Sequence, residues 1–216
     1  NISLFAKLAL AWQRPRLSAA SKRFLKGLSN VPYVDSSGLF AVVHGSFSGT
    51  KDGRGERRFE DIYVHHVSKV DPFPALPRTR SGKEVTVGFF GHTHEPGYGY
   101  FKKSVDGTHR SQGYYRSFGA NVIPVHELLP GCHGYLRTKK AALRLGPPAL
   151  RAIVNFGSVG QPRHGSCGAC YGIAEFSNER LTLTFRSVRY DVNRTIEKIE
   201  MAGLPIYLAN RLKRGK

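Results

Sequence analysis

Three histidines stand at positions where a folded chain could use them for chemistry. His44 follows the apolar run 38–43, and His92 and His94 follow the apolar run 85–90. A neutral imidazole is a common ligand of transition metals, and the end of a strand holds a side chain firmly enough for that role. By type and spacing alone, these residues are either metal ligands or satisfied structural histidines. The other six histidines lie in polar or basic surroundings and are expected to be solvated: His65, His66, His109, His126, His133 and His164.

The cysteines offer a second, weaker metal pattern. Cys167 and Cys170 have the two-residue gap of a zinc half-site, and Cys132 beside His133 could supply the other half. The same gap is common among ordinary loop thiols, which is the interpretation we favour. Three cysteines cannot all pair within one chain, which argues against a disulfide scaffold and favours a reducing compartment.

Three predicted strands must position the histidines. The runs 38–43, 85–90 and 152–156 are short and apolar, and each is bounded by glycine or polar residues. Such runs are typical of buried strands in a parallel or mixed sheet. The first two end at histidines, and the third ends at Gly157 and Ser158. This layout predicts an α/β sheet with a metal or ligand site at one edge.

Other elements follow from periodicity and turn residues. Helices are predicted at residues 2–12, 17–28, 195–202 and 205–212, with Pro15 breaking or kinking the first of them. A strand pair is predicted at 171–176 and 181–188, and a polar, Gly-rich loop at 49–58. The stretch 97–150 lacks clear periodicity, and there we expect one or two hairpins and a basic helical turn near 139–145.

Composition and charge limit the possible functions. Hydrophobic residues make up 40% of the 216 residues, which is a globular composition and excludes wholesale disorder. No apolar run approaches the roughly 18 residues of a membrane-spanning helix, so we expect no membrane partner. Lys and Arg number 33 against 15 Asp and Glu, a net charge of +18 that attracts polyanions such as RNA. The alternative is an ordinary enzyme with a basic surface.

The insertion at 97–150 is itself basic, with eight Lys and Arg against two Asp and Glu. Its cations alternate with tyrosines and phenylalanines, a combination that suits an RNA backbone and its bases. The alternative is a solvated basic hairpin whose tyrosines pack on the sheet. The cations are Lys102, Lys103, Arg110, Arg116, Arg137, Lys139, Lys140 and Arg144.

The residues around the histidines also form an ordered set of motifs. The segments VVHGS at 42–46, GHTH at 91–94 and VNFGSVGQPR at 154–163 are followed by VRYDV at 188–192 and a closing segment at 203–215. This set resembles the calcineurin-like metallophosphoesterases, specifically the small bacterial-type phosphodiesterase branch. The resemblance covers nearly the whole chain. Phe47 and Phe156 depart from it, because the family often has Pro at those positions.

The resemblance implies a fold and a reaction. The fold is α/β, a mixed β-sheet sandwich flanked by helices, with two divalent metal ions (Mn, Fe, Zn or Ni) at the loop ends. Such ions activate a water molecule that hydrolyses a phosphomono- or diester. Carried over by motif, His44 and His92 bind one ion and His94 binds the other. Arg163 would meet the substrate's phosphate, or it would form a structural ion pair.

One departure from the family concerns its first half. That half supplies an Asp-x-His pair, a bridging Asp and a Gly-Asn-His run, and neither Asp-x-His nor Gly-Asn-His occurs here. We therefore expect residues 1–216 to be the C-terminal part of a single domain, with the basic insertion at about 97–150 and the catalytic residues upstream of Asn1. The alternative is a catalytically degenerate fold that serves as an RNA-binding or ribonucleoprotein assembly module. A first residue other than Met favours the former, and the basic surplus favours the latter.

The first residues bear on localisation. We expect a cytoplasmic protein. However, no acidic residue precedes Asp35, and an acid-free, amphipathic opening with Arg, Lys and Ser is also typical of an organelle transit peptide. A mitochondrial or other organellar location is therefore the alternative.

Overall fold

The computed structural model describes residues 3–29, 31–47, 50–51, 57–58, 76–102, 114–117, 137–144, 150–178 and 180–215. Within these ranges the helices are α1 (Leu4–Arg16), α2 (Ala19–Lys26), α3 (Val192–Met201) and α4 (Ile206–Arg214). The first seven strands are β1 (Tyr33–Val34), β2 (Phe40–Val42), β3 (Thr50–Lys51), β4 (Arg57–Arg58), β5 (Val87–Phe89), β6 (Gly97–Lys102) and β7 (Tyr114–Ser117). The last four are β8 (Arg137–Arg144), β9 (Leu150–Asn155), β10 (Ala169–Ser177) and β11 (Arg180–Val188).

A six-stranded mixed sheet carries the three strands predicted from the apolar runs. Its order is β1-β2-β5-β9-β6-β7. The strands β2, β5 and β9 are neighbours and parallel, with Ala41 opposite Gly88 and Gly88 opposite Ile153. Because parallel strands end at the same edge of a sheet, the segments that follow β2, β5 and β9 meet there, as predicted.

A second sheet lies against the first. It is antiparallel, with the order β10-β11-β8, and the β10–β11 pair was predicted. The basic helical turn predicted near 139–145 is wrong, because Lys139 lies in β8 opposite Phe185 of β11. Lys, Ala and Leu favour helices locally, but Leu143 of this segment is buried with the apolar residues of β11. Tertiary packing therefore overrides local propensity here.

The core between the two sheets defines the architecture. Val87 and Val154 of the mixed sheet pack in one cluster with Leu181 and Leu183 of the second sheet. Ile153, one residue before Val154, belongs instead to a cluster on the opposite face. This alternation is what a strand buried on both faces produces. The fold is therefore α/β, a mixed-sheet sandwich flanked by helices, as the resemblance implied.

The structure describes only parts of the long insertion and of the predicted Gly-rich loop. Within 97–150, β6 and β7 form the expected hairpin, and β6 also pairs with β9 and so extends the mixed sheet. Within 49–58, where a loop was predicted, β3 and β4 form a short antiparallel pair. The intervening residues of both stretches lie outside the described ranges.

The helices match the predicted segments closely. Ser3, Ser18 and Asp191 cap α1, α2 and α3 by accepting a hydrogen bond from a backbone N–H of the first turn. The helix α1 continues only one residue past Pro15. No residue of α1 or α2 is buried, although Phe5 stacks on Tyr207 of α4 with ring centroids 4.5 Å apart.

At the C-terminal end, α3 and α4 pack against each other. Their shared cluster consists of Val192, Ile196, Ala209 and Leu212. The backbone N–H of Gly165 donates to the carbonyl of Gly215, which joins the end of α4 to the segment that follows β9. None of the helices in the described part of the chain has the length and apolar character of a membrane span.

Candidate metal centre

His44 and His92 meet at the shared edge of β2 and β5. The backbone N–H of Gly91 donates to the carbonyl of His44 at 2.9 Å, which fixes the two chain segments side by side. The side chains then converge, with Nδ1 of His92 3.1 Å from Nε2 of His44. Their ring planes cross at 72°. His44 is exposed and His92 is half-buried, so the pair is open to solvent on one side.

The backbone of the GHTH segment is strained. His92 and His94 have φ values of 65° and 60°, in the left-handed region that residues other than glycine rarely adopt. The conformation costs about 1–2 kcal/mol for each such residue. Such strain persists only where the surroundings enforce it, and it is concentrated at functional sites. The two strained histidines therefore make the GHTH segment a candidate functional site.

A buried amide encloses the strained segment. Asn155, at the end of β9, is 0% exposed. Its Nδ2 donates to the carbonyl of Gly91 at 3.1 Å and to Oγ1 of Thr93 at 2.8 Å, and its Oδ1 accepts from the N–H of Gly157 at 2.8 Å. The sequence reasoning treated Asn155 only as the end of an apolar strand. The sequence contained one indication of this role. Asn155 ends an apolar run that was predicted to be buried, and a buried amide must find hydrogen-bond partners.

His94 is oriented by the segment that follows β9. Its Nδ1 donates to the carbonyl of Gln161 at 2.7 Å, so its Nε2 carries the free lone pair of a neutral ring. Burial lowers the pKa of His94, the bond to Gln161 opposes this effect, and the positive charges of Arg163 and Arg211 lower the pKa further. At neutral pH, His94 is therefore a neutral imidazole, which is the form that binds metals.

Arg163 lies beside His94, on the segment that follows β9. Its backbone N–H donates to the carbonyl of His94 at 3.2 Å, and its Nη2 donates to Oε1 of Gln161 at 3.3 Å. Its Nε is buried and has no hydrogen-bond partner within the described residues. Those residues also show no carboxylate paired with Arg163, so they do not support the alternative of a structural ion pair.

The donor set at this edge fits part of a metal site. Two nitrogens that share one ion at about 2.0–2.1 Å each lie roughly 2.9–3.4 Å apart for angles from a right angle to the tetrahedral value. The two rings are hydrogen-bonded in this structure, and the 3.1 Å between Nδ1 of His92 and Nε2 of His44 also falls in that range. In the described part of the chain, no group of three or more His, Cys, Asp or Glu side chains converges on one point. The pair therefore supplies two ligands of an ion and needs others to complete it.

The cysteine pattern is not an arrangement of ordinary thiols. Cys167 is in a disulfide bond, which corrects the preferred interpretation of the sequence. Cys170 is free and buried, with its Sγ 3.8 Å from Nε2 of His164. Burial also corrects the expectation for His164, which is 8% exposed instead of solvated. Cys132 and the five other histidines expected to be solvated lie outside the described residues.

The predicted RNA-binding surface lies mostly outside the described side chains. Among its cations, Lys140 is described and exposed. The aromatic residue Tyr98 packs on the second sheet, with its ring 6.2 Å from that of Phe185, as the alternative of a hairpin packed on the sheet expects. Lys103 and Arg110 lie outside the described residues, as do the side chains of Lys102, Arg116, Arg137, Lys139 and Arg144. RNA binding stays a prediction.

The chain has a similar solved structure. The chain is similar to a crystal structure of a metallophosphoesterase from Sphaerobacter thermophilus, with 26% sequence identity and a TM-score of 0.64. The alignment covers 100% of this chain and 72% of the other. No family model matches the chain, and no curated protein matches it.

This similarity identifies the fold of the chain. The sandwich is the calcineurin-like metallophosphoesterase fold, and the similarity supports the superfamily named from the motifs. The narrower assignment to the small bacterial-type phosphodiesterase branch stays a prediction, as does the assignment of residues 1–216 to the C-terminal part of one domain.

Proposed function

We propose that this chain supplies His44, His92 and His94 to the metal centre of a phosphoesterase that hydrolyses a phosphomono- or diester. The observation that carries the proposal is the convergence of His92 and His44, 3.1 Å apart, on a backbone held in a strained conformation. The similarity to a metallophosphoesterase of known structure supports the same reaction class.

The three imidazoles have distinct roles in this proposal. His44 and His92 provide two neutral nitrogen donors for one divalent ion. His94 offers Nε2 to a second ion, because its Nδ1 is occupied by the carbonyl of Gln161. Bound divalent ions supply Lewis-acid chemistry, in which they hold phosphoryl oxygens and activate a water molecule. Imidazoles carry no negative charge to offset the repulsion of two ions, so a dinuclear centre also needs carboxylate ligands.

Arg163 is the proposed contact for the substrate. Its guanidinium adjoins His94 and, in the described part of the chain, carries no ion pair, so its charge is available to a phosphate. An arginine can donate two parallel hydrogen bonds to one phosphate, which a lysine cannot. We therefore assign to Arg163 the neutralisation and orientation of the ester, and to the histidines the binding of metal.

The test is hydrolysis of bis(p-nitrophenyl) phosphate and p-nitrophenyl phosphate, with added Mn²⁺, by the full-length protein that contains residues 1–216. We expect turnover that depends on Mn²⁺ and falls to the level of metal-free protein in His92→Ala. The matched control is His164→Gln, which removes a buried imidazole that contacts Cys170 instead of the metal centre. No turnover above that of His92→Ala with either ester would overturn the proposal.

Arg163→Lys separates substrate binding from metal binding. The variant keeps the positive charge but loses the paired donors, so we expect KM for the ester to rise while the affinity for Mn²⁺ is unchanged. An unchanged KM in Arg163→Lys would exclude Arg163 as the phosphate contact without affecting the assignment of the histidines.

A further inference from the structure

Asn155 contacts both loops of the candidate metal centre from a fully buried position. The residue is 0% exposed at the end of β9. Both hydrogens of its amide are donated, and its oxygen accepts. A buried amide with every hydrogen used has one orientation, since rotating it would break several bonds at once.

The two donated bonds enclose His92. One ends on the carbonyl of Gly91, immediately before His92, and the other ends on Oγ1 of Thr93, immediately after it. The N–H of Thr93 also donates to the carbonyl of Gly91 at 2.7 Å, which closes a tight turn around His92. The amide therefore clamps both ends of the turn that gives His92 its positive φ and directs its ring at His44.

The hydrogen bond that Asn155 accepts affects the orientation of His94 as well. The N–H of Gly157 donates to Oδ1 of Asn155, and this bond fixes the start of the segment 157–161. Within that segment the N–H of Gln161 donates to Oγ of Ser158 at 3.0 Å. The carbonyl of Gln161 then accepts the Nδ1 proton of His94. One side chain thus holds His92 through its backbone and His94 through the group that orients its ring.

We propose that Asn155 is the positioning residue of the metal centre, which sets the orientation of His92 and His94 through the GHTH segment and the segment 157–161. This inference rests on the proposed function. It differs from a merely structural role, in which the amide would satisfy nearby backbone groups and contribute to stability alone. The two roles predict different results for metal binding.

The experiment is a titration of the full-length protein that contains residues 1–216 with Co²⁺, a spectroscopic probe for such sites. Binding is followed by visible absorption, and each variant is also unfolded thermally. Asn155→Asp preserves the shape of the side chain but removes both donated hydrogens. We expect its affinity for Co²⁺ to fall by roughly 10–100-fold with a changed absorption spectrum, since groups that orient metal ligands have effects of that size. Asn193→Asp makes the same chemical change at an exposed position of α3 and should bind Co²⁺ like the wild type.

A second pair of variants tests the hydrogen bond between Asn155 and Thr93 by changing Thr93. Thr93→Val removes the hydroxyl that accepts from Asn155, and Thr93→Ser keeps it. We expect Thr93→Val to weaken Co²⁺ binding and Thr93→Ser to bind like the wild type. This pair decides the question if Asn155→Asp does not fold.

The outcomes separate the two proposals. If the wild type does not bind Co²⁺, the proposed function fails, and the positioning role fails with it. If the wild type binds Co²⁺ and Asn155→Asp binds it equally well but unfolds at a lower temperature, only the positioning role fails. Equal affinities of Thr93→Val and Thr93→Ser would overturn the positioning role in the same way.

Discussion

The ring of Phe156 occupies the space where a side chain on Gly172 would begin. A Cβ added to Gly172 would lie 1.8 Å from Cδ1 of Phe156. The same ring stacks on Phe89 of the mixed sheet at 5.7 Å and packs against Phe185 of the second sheet at 5.1 Å. Gly172 is therefore required for space, because the aromatic cluster between the sheets fills the position of its missing side chain.

Gly172→Ala should lower the free energy of unfolding by about 1–3 kcal/mol, the range for an overpacked core. The ring of Phe156 would have to leave its stacked position. Phe156 directly follows Asn155 in the chain. The control is Gly160→Ala, whose added Cβ would have no atom within 4 Å. Urea unfolding of both variants checks this prediction. A Gly172→Ala variant as stable as Gly160→Ala would show that the ring moves at no cost.

Two glycines with positive φ separate backbone strain from a steric clash. Gly203 has φ +65° with no atom within 4 Å of an added Cβ, whereas Gly215 has φ +59° and its added Cβ would lie 2.5 Å from the carbonyl oxygen of Ser166. Ala in this region costs about 1–2 kcal/mol by strain alone. We expect Gly203→Ala to show that cost in urea unfolding and Gly215→Ala to exceed it. Equal losses would mean that the end of α4 moves away from Ser166 freely.

The cap of α3 gives a prediction about a single hydrogen bond. Oδ1 of Asp191 accepts from the backbone N–H of Arg194 at 2.9 Å. Removing such a cap costs about 0.5–2 kcal/mol. Asp191→Ala should therefore lower the midpoint of thermal unfolding, and Asp191→Asn should nearly restore it, because an amide oxygen also accepts. If Asp191→Asn loses as much as Asp191→Ala, the negative charge matters more than the hydrogen bond.

Local patterns were sufficient to predict the elements that carry the histidines. The strands before His44 and His92 are continuous apolar runs that end at polar or glycine-rich turns, so their type and the position of each histidine follow from residues within ten positions. Their parallel pairing follows from the general layout of α/β sheets. That His44 and His92, 48 positions apart, would lie at one sheet edge followed from this layout, and their binding of the same ion was implied only by the resemblance to a family.

What could not be predicted depends on contacts between distant residues. The bonds of Asn155 reach Gly91 and Thr93, 64 and 62 positions away, and no local pattern indicates them. The strand β8 combines local helix formers with a partner strand about 40 positions later, so its conformation is decided by packing. The burial of His164 likewise results from tertiary packing that its polar sequence neighbours do not indicate.

His164 gives the stability of the protein a dependence on pH. It is buried beside Cys170 and its Nδ1 has no hydrogen-bond partner in the described part of the chain. Burial lowers the pKa of His164 below its ordinary value of 6.5, and burial raises the pKa of the Cys170 thiol, which therefore stays neutral at and below neutral pH. In the unfolded chain the imidazole takes up a proton near pH 6.5, whereas in the folded chain it stays neutral to a lower pH.

The unfolded state therefore binds more protons than the folded state as the pH falls below 6.5. The contribution of His164 to stability is complete above that pH and is lost as the pH falls toward the pKa of the folded state. We expect the free energy of unfolding of the metal-free chain, measured in urea, to decline from pH 7.5 to pH 5.5. In His164→Gln the decline should be smaller, because the group that titrates is gone.

A part of the slope should persist in that variant, since burial lowers the pKa of His94 in the same direction. Parallel curves for the wild type and His164→Gln would show that protonation of His164 is not coupled to unfolding.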